Sequence, residues 1–298
     1  MLVLGDLLQL PPVKAPHCFA PIPASDYRRM MRGSVGIVQP THLWARFRYS
    51  ELTQIMRQKG DPEYAEILQR LRLGDSQNGH ERLKERRVQE ASKDSVSVAG
   101  LLCQLEAKGK KPVCLLSTVD RVEEVNVAVL VTKGLSPSYL HAEDQVMRRK
   151  PKSAAEKPPS FPGGTSPAEK MSARLGYLRG TTKRKTRDSG GLAQVLVVAP
   201  GARVMLVRNL AVEKGLFNGA MGTVKRVVAD PRAQGGVGHV VVDFDGIGDE
   251  SIDRQLGTYS VGGVEVKRSQ FPLTLAYAIT IHKAQGLSLD CVVTDLEK

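Results

Sequence analysis

The sequence predicts an α/β fold interrupted by a small β-barrel. Three observations predict it. A short apolar run, PVCLLST (112–118), leads into DRVEEVNVAVLVTKG (120–134), where Val122, Val125 and Val129 recur at helical spacing. From 195 the period changes to short β-branched runs (VLVVAPGARVMLVRN, GTVKRVV, GHVVVDFDG) broken by Gly, Asn, Asp and Pro. Then PLTLAYAITIHKAQG (272–286) returns to an apolar strand, a polar corner and a helix start.

Taken in order, MLVLGDLLQLPPV (1–13) opens with an apolar run, Leu2-Val3-Leu4. Gly5-Asp6 breaks the run and Pro11-Pro12 stops any helix. It reads as a buried strand whose tip carries Asp6 and Gln9 into a loop, although a strand ending in a functionless turn has the same pattern. In DPEYAEILQRLRLG (61–74), Asp61 is placed as an N-cap and Pro62 at the first helical position. Tyr64, Ile67, Leu68 and Leu71 form the apolar face, and Gly74 suits a C-terminal stop. Just upstream lie Arg57 and Gln58. Arginine is the residue type that stabilises charge on a transferring phosphoryl group, while an exposed arginine ahead of a capped helix is the plainer reading.

The 298 residues carry a net charge of +12. Between Gln145 and Arg187 stand twelve Lys/Arg against two acids, Glu156 and Glu169, so this segment holds +10 of that charge. Together with KPPSFPGGTSP, it makes 142–190 a basic, flexible insertion without apolar periodicity. Lys183-Arg184-Lys185 has the composition of a nuclear-import signal or of a solvated linker. The remainder of the chain is near neutral, so the pI alone says little about whether the folded part binds nucleic acid.

Several classes are excluded or disfavoured. The cysteines (Cys18, Cys103, Cys114, Cys291) are far apart and form no C-x-x-C pair, which argues against a disulfide framework or zinc ribbon and for a reducing, intracellular setting. The histidines (17, 42, 80, 141, 239, 282) show neither H-x-x-x-H nor H-E-x-x-H, and no G-x-S-x-G elbow occurs. No metal site is therefore expected. Asp243 and Asp245 resemble a magnesium-holding acidic strand, but their place in the β-rich region makes a turn the simpler reading. No apolar run approaches the roughly 18 residues of a membrane span. A phosphate-cradling G-x-x-x-x-G-K-[ST] is also missing: at Gly109-Lys110, Gln104 stands where the first glycine belongs, and Lys111 follows.

AITIHKAQGLSLD (278–290) is the most informative stretch. Thr280, His282, Lys283 and Gln285 place hydroxyl, imidazole, ammonium and amide donors on one corner, and all of these groups can bond phosphate oxygens. An anion or nucleic-acid contact is expected here.

Four segments in order resemble the Pif-type DNA helicases of the Pif/RecD-like branch of helicase superfamily one. GDLLQLPPV (5–13) resembles the third helicase motif of that family, and LTQIMRQKGDPEYAEILQRLRLG (52–74) the fourth with its helix. GARVMLVRNLAVEKGLFNGAMGTV (201–224) is similar to the small β-barrel inserted in the second motor domain, and FPLTLAYAITIHKAQGLSLD (271–290) to the fifth motif. Helicases of rolling-circle transposons are similar too.

The resemblance implies partial RecA-like motor domains with an inserted small β-barrel. Residues 1–50 would be a remnant of the first motor domain, 51–141 the first part of the second, 142–190 the insertion, 191–268 the barrel and 269–298 the return to the second motor domain. It implies a 5′-to-3′ motor using ATP and magnesium on single-stranded and forked duplex DNA, with roles in repair, recombination or telomere and genome maintenance, in the nucleus or mitochondrion. Asp6, Gln9, Arg57 and Gln58 would face nucleotide, with Gln9 and Arg57 as the catalytic pair. Thr280, His282, Lys283, Gln285 and Ser288 would face DNA, Ser288 standing where the family often has Thr. The phosphate loop, the acidic magnesium strand and the sixth motif are missing from this pattern. The expectation is a fragment inactive on its own, with a non-catalytic single-stranded DNA-binding module or a decayed transposon-derived remnant as alternatives.

Overall fold

The computed structural model describes residues 3–10, 17, 19–21, 43–56, 58, 60–75, 79, 81–83, 85, 94–147, 191–233, 235–261 and 264–295. They fall into two compact units, Met1–Glu90 and Ala91–Lys298.

In the first unit, helix α1 spans Pro62–Arg72. Its start is local chemistry: the Asp61 carboxylate accepts from the Tyr64 amide at 3.0 Å, and Pro62 sits where no intrahelical donor is needed. Its end is equally local, with the Asp75 amide returning to the Arg70 carbonyl and Gly74 at φ +86°. The apolar face buries Ile67 and Ala65 and half-buries Tyr64, Leu68 and Leu71, close to the predicted stripe. A 3₁₀ turn, Leu43–Arg46, carries Trp44 into a ring cluster with Phe19 (6.0 Å) and Phe47 (6.2 Å), and Phe19 stacks on His17 at 4.7 Å.

The opening run departs from expectation. Val3–Asp6 has no strand assignment, and Leu4 is 80% exposed. A buried strand needs neighbours for its backbone groups, and no strand pairs with this run among the described residues. What holds it is a turn: the Gln9 amide donates to the Asp6 carbonyl at 3.2 Å.

The second unit begins with α2 (Ser95–Ala107), capped by Asp94, whose carboxylate accepts from the Val96 and Ser97 amides. There follow β1 (Pro112–Leu116), α3 (Val119–Thr132), β2 (Ser138–His141), β3 (Glu143–Val146), β4 (Val195–Val198) and β5 (Arg203–Leu206). Next come β6 (Met221–Ala229), β7 (Val237–Phe244), β8 (Gly248–Asp253), β9 (Gln255–Val261), β10 (Val264–Gln270) and β11 (Leu273–Leu275). β12 (Ala278–Thr280), the single turn α4 (Ile281–Ala284) and β13 (Cys291–Thr294) complete it.

A parallel sheet, β12-β1-β13, carries α2 and α3, so the strand-then-helix reading of 112–132 corresponds to a real α/β layer. The β-rich region forms an antiparallel sheet, β11-β5-β6-β7-β8, beside smaller ladders β3-β10-β9 and β2-β4. Among the described residues no ladder joins β8 back to β11, so the strands expected of the small β-barrel are present and its closure is not shown. A bulge between Val224 and Arg226 breaks the β6–β7 register. One continuous core runs through both layers, joining Leu102, Val125 and Val129 of the helices to Val198, Val204 and Val240 of the strands. Each such side chain contributes about 1.5–3 kcal/mol by leaving water.

The expected insertion also starts later than its composition suggests. β3 pairs with β10, opposing Asp144 to Arg268, so residues 143–146 belong to the fold. Asp144 is drawn in by a bidentate ion pair with Arg268 at 2.7 and 2.8 Å, and Arg268 also donates to the Tyr259 hydroxyl and the Leu192 carbonyl. Burial pulls the Arg268 pKa down, but Asp144 outweighs it and the guanidinium is held above its ordinary value. Residues 148–190, including Lys183-Arg184-Lys185, lie outside the described residues.

Candidate nucleic-acid interface

The corner that follows β12 is built from below. Ile279, Ala284, Leu287 and Leu289 pack with Val113, Met205 and Met221, which seats the corner on both sheets. Gly219 shows how close that packing is. It sits at φ +107°, and a Cβ there would lie 2.5 Å from Leu287 Cδ2.

On this base, Thr280 ends the strand at φ −74°, ψ 148° and caps α4, its hydroxyl oxygen accepting from the Lys283 amide at 3.4 Å. The hydroxyl hydrogen stays available for an acceptor in front of the corner. His282, Lys283, Gln285 and Ser288 are exposed, Thr280 is half-buried, and Gly286 turns the chain at φ +87°. The structure thus brings the predicted DNA-facing residues onto one solvent-facing corner at the carboxyl end of a parallel strand, the position where open α/β sheets bind ligands.

Two supports of this corner were not anticipated from sequence. Asn126 of α3 is buried, and its amide grips the backbone of Ala278: Nδ2 donates to the Ala278 carbonyl at 3.0 Å and Oδ1 accepts from the Ala278 amide at 2.9 Å. Its signal in the sequence is an amide beside the apolar stripe of Val122, Val125 and Val129. Tyr277, one residue earlier, is buried, with Lys133 Nζ 5.1 Å from its ring centroid and 3.3 Å from its hydroxyl. Lys133 also binds Glu106 at 2.8 Å. Burial lowers the Lys133 pKa, but Glu106 and Tyr277 outweigh it and raise it, so the ammonium stays charged.

The nucleotide-facing candidates are arranged differently. Asp6 accepts from the Leu8 amide at 3.0 Å and from Arg72 Nη2 at 2.6 Å, so its carboxylate is engaged at the last turn of α1. Gln58 stands at the other end, its carbonyl accepting from the Asp61 amide in the turn before the helix. Gln9 is exposed in the opening turn. Arg57 lies outside the described residues.

The acidic strand reading of Asp243 and Asp245 resolves into ion pairs. Asp243, on β7, lies 3.4 Å from Lys225. Asp245, in the following turn, accepts two bonds from Arg203 (3.0 and 2.6 Å) and one from Lys111 (2.8 Å). Partial burial pushes the Asp245 pKa up, but these cations outweigh it and hold it below the ordinary carboxylate value. No cluster of three or more His, Cys, Asp or Glu that could hold a metal occurs among the described residues. Burial pushes the Cys114 thiol up to about 11, which makes it inert core material.

Fold and corner together define an α/β layer, with a polar corner at the carboxyl end of β12, joined to an antiparallel β region. The comparisons carry this further. Residues 189–227 match the family profile described as DNA helicase Pif1, 2B domain. The ATP-dependent DNA helicase PIF1 of Mus musculus is 45% identical over 106 residues, 35% of this chain and 16% of that protein. The crystal structure of Pif1 helicase from Candida albicans superposes with a TM-score of 0.54 at 23% identity, covering 82% of this chain and 50% of that one. The Bacteroides Pif1 helicase in complex with ADP-AlF3 and ssDNA gives a TM-score of 0.50 at 21% identity, covering 98% of this chain and 55% of that one. The chain is similar to Pif-type DNA helicases, and it spans about half the length of these solved structures.

Proposed function

We propose that this chain is part of an ATP-dependent, 5′-to-3′ DNA helicase of the Pif type and carries part of its single-strand path. The observation that carries the reading is the corner after β12, where exposed His282, Lys283, Gln285 and Ser288 follow half-buried Thr280 over an apolar base. In this reading, Thr280, His282 and Lys283 hold successive phosphates, with Gln285 and Ser288 beside them. Residues 1–50 and 51–141 with 269–298 belong to two RecA-like motor domains, and 191–268 is the small β domain of the second. Single-stranded and forked duplex DNA are the partners. DNA repair, recombination or telomere maintenance is the setting, in the nucleus or mitochondrion. No helix among the described residues is long and apolar enough to cross a membrane.

ATP with magnesium is the cofactor of this reading, with Gln9 and Arg57 facing the γ-phosphate and Asp6 and Gln58 nearby. The described residues do not by themselves fit that group. The carboxylate of Asp6 is taken by Arg72, and Arg70 is paired with Glu66 at 2.6 Å. No hydrolysis step is therefore assigned to them. A second reading, a non-catalytic single-stranded DNA-binding module, is favoured by the continuous core beneath the corner.

Titration of a fluorescent oligothymidylate over a range of salt tests the shared claim. Lys283→Ala is expected to weaken binding and reduce the salt slope by about one, the signature of one lost phosphate contact. Unchanged affinity and slope would overturn the corner as a DNA contact. DNA-stimulated ATP hydrolysis by the chain alone, lost in Arg57→Ala, would overturn the module reading.

A further inference from the structure

We infer that Asn126 is the positioning residue for the phosphate-contacting corner, acting as a surrogate strand on the outer edge of β12. The inference rests on the DNA-contact reading above and extends it to a residue that touches no DNA.

Strand geometry carries the inference. In the β12-β1-β13 sheet, β12 is an edge among the described residues. Ala278 stands opposite Cys114, yet the Cys114 amide bonds the Tyr277 carbonyl at 2.8 Å rather than Ala278 itself. The amide and carbonyl of one strand residue point to the same side, so those of Ala278 face away from β1. A buried, unpaired pair of backbone groups there would be costly. Asn126 supplies both partners at once, its carboxamide standing in for the peptide group of a neighbouring strand.

The amide also fixes position along the strand. α3 buries Val125, Val129 and Leu130, whose apolar contacts are non-directional. Two hydrogen bonds to a single residue are directional. They lock α3 to Ala278, and Thr280 leaves the strand two residues later to cap the turn that bears His282 and Lys283. The helix therefore sets where the corner points, through one side chain 152 positions away in sequence.

Asn126→Asp is the sharpest variant, because it is nearly isosteric. It keeps an acceptor for the Ala278 amide but removes the donor and sets a carboxylate against the Ala278 carbonyl. Asn126→Leu removes both bonds. The readout is a double-mutant cycle on oligothymidylate binding by the full chain, at a temperature where circular dichroism shows each variant folded. The expectation is about tenfold weaker binding for Asn126→Asp and a salt slope reduced as in Lys283→Ala. The double variant Asn126→Asp/Lys283→Ala is expected to be no weaker than Lys283→Ala, because a misplaced corner has no Lys283 contact left to lose.

A purely structural role gives a lowered melting temperature with additive effects and an unchanged salt slope, and that result overturns the inference. Wild-type affinity in both Asn126 variants overturns it too. If Lys283→Ala itself binds as wild type, the DNA-contact reading fails first and the inference falls with it. The two failures are thus told apart by the Lys283 variant alone.

Discussion

The two units differ in what holds them. In Met1–Glu90 the described interactions are mostly short in sequence: the Asp61 cap reaches three residues and the Arg70–Glu66 pair four. The long contact there, Arg72 to Asp6, joins an exposed arginine to a half-buried carboxylate, and Leu4 and Leu52 are 80% and 92% exposed. In Ala91–Lys298 the decisive interactions span the chain and are buried: Asn126 to Ala278, Asp144 to Arg268, Gln270 to the Leu140 carbonyl. Among the described residues, the unit of the proposed nucleotide-facing residues thus shows little core, whereas the unit of the proposed DNA-facing corner has a continuous one. Local chemistry suffices to start a helix, but holding a binding corner to ångström precision requires long-range packing.

The largest test of this contrast is Asp144→Ala. It leaves the Arg268 guanidinium buried without its carboxylate, so a loss of about 3–5 kcal/mol is expected, read by urea unfolding. Replacing both partners with apolar residues, Asp144→Leu with Arg268→Met, is expected to recover most of it, because no charge is then left buried. A single variant as stable as wild type would show that the pair does not hold β3 to β10.

Asp61→Ala is the matching test of the first unit. Loss of the cap is expected to cost about 1 kcal/mol and to lower helicity in α1, read by circular dichroism. The affinity of the chain for oligothymidylate through Lys283 is expected to stay unchanged, because the cap lies in the other unit. A cost as large as that of Asp144→Ala would erase the contrast.

The same contrast explains what the sequence made legible. α1 could be read to its caps because Asp61, Pro62 and Gly74 act within a few residues of themselves. The corner was legible as chemistry, since four donors crowd the stretch from Thr280 to Gln285. What supports it was not. Asn126 looks like one polar residue in an apolar helix until Ala278 is folded onto it. Asp144, in AEDQVMRRK, has the composition of a solvated segment until Arg268 draws it in. The small β-barrel was legible as far as its strands: β-branched runs and turns specify strands and hairpins, whereas closure depends on how the first and last strands meet. The opening run was over-read for a related reason, since Leu2-Val3-Leu4 has the composition of a buried strand, whereas Val3 and Leu4 are exposed and pair with no strand among the described residues.

Asp245 separates the two variables that the contrast leaves mixed, sequence span and burial. It joins Lys111 across 134 positions, a reach comparable to those of the buried contacts, yet its side chain is 35% exposed. If span mattered in itself, Asp245→Asn would be as damaging as Asp144→Ala. If burial decides, the cost stays below about 1 kcal/mol, because solvent screens the charges. The pH dependence identifies the source of whatever cost is found. The folded-state pKa of Asp245 is depressed by Arg203 and Lys111, so its contribution is fully present above the ordinary carboxylate value and is lost as pH falls through the lower, folded one. Urea unfolding of wild type and Asp245→Asn is therefore expected to show a small constant difference from neutral pH down to the carboxylate range, closing only below it. A gap that persisted unchanged in strong acid would mean that the turn geometry around Asp245, and not its charge, ties Lys111 and Arg203 to β7.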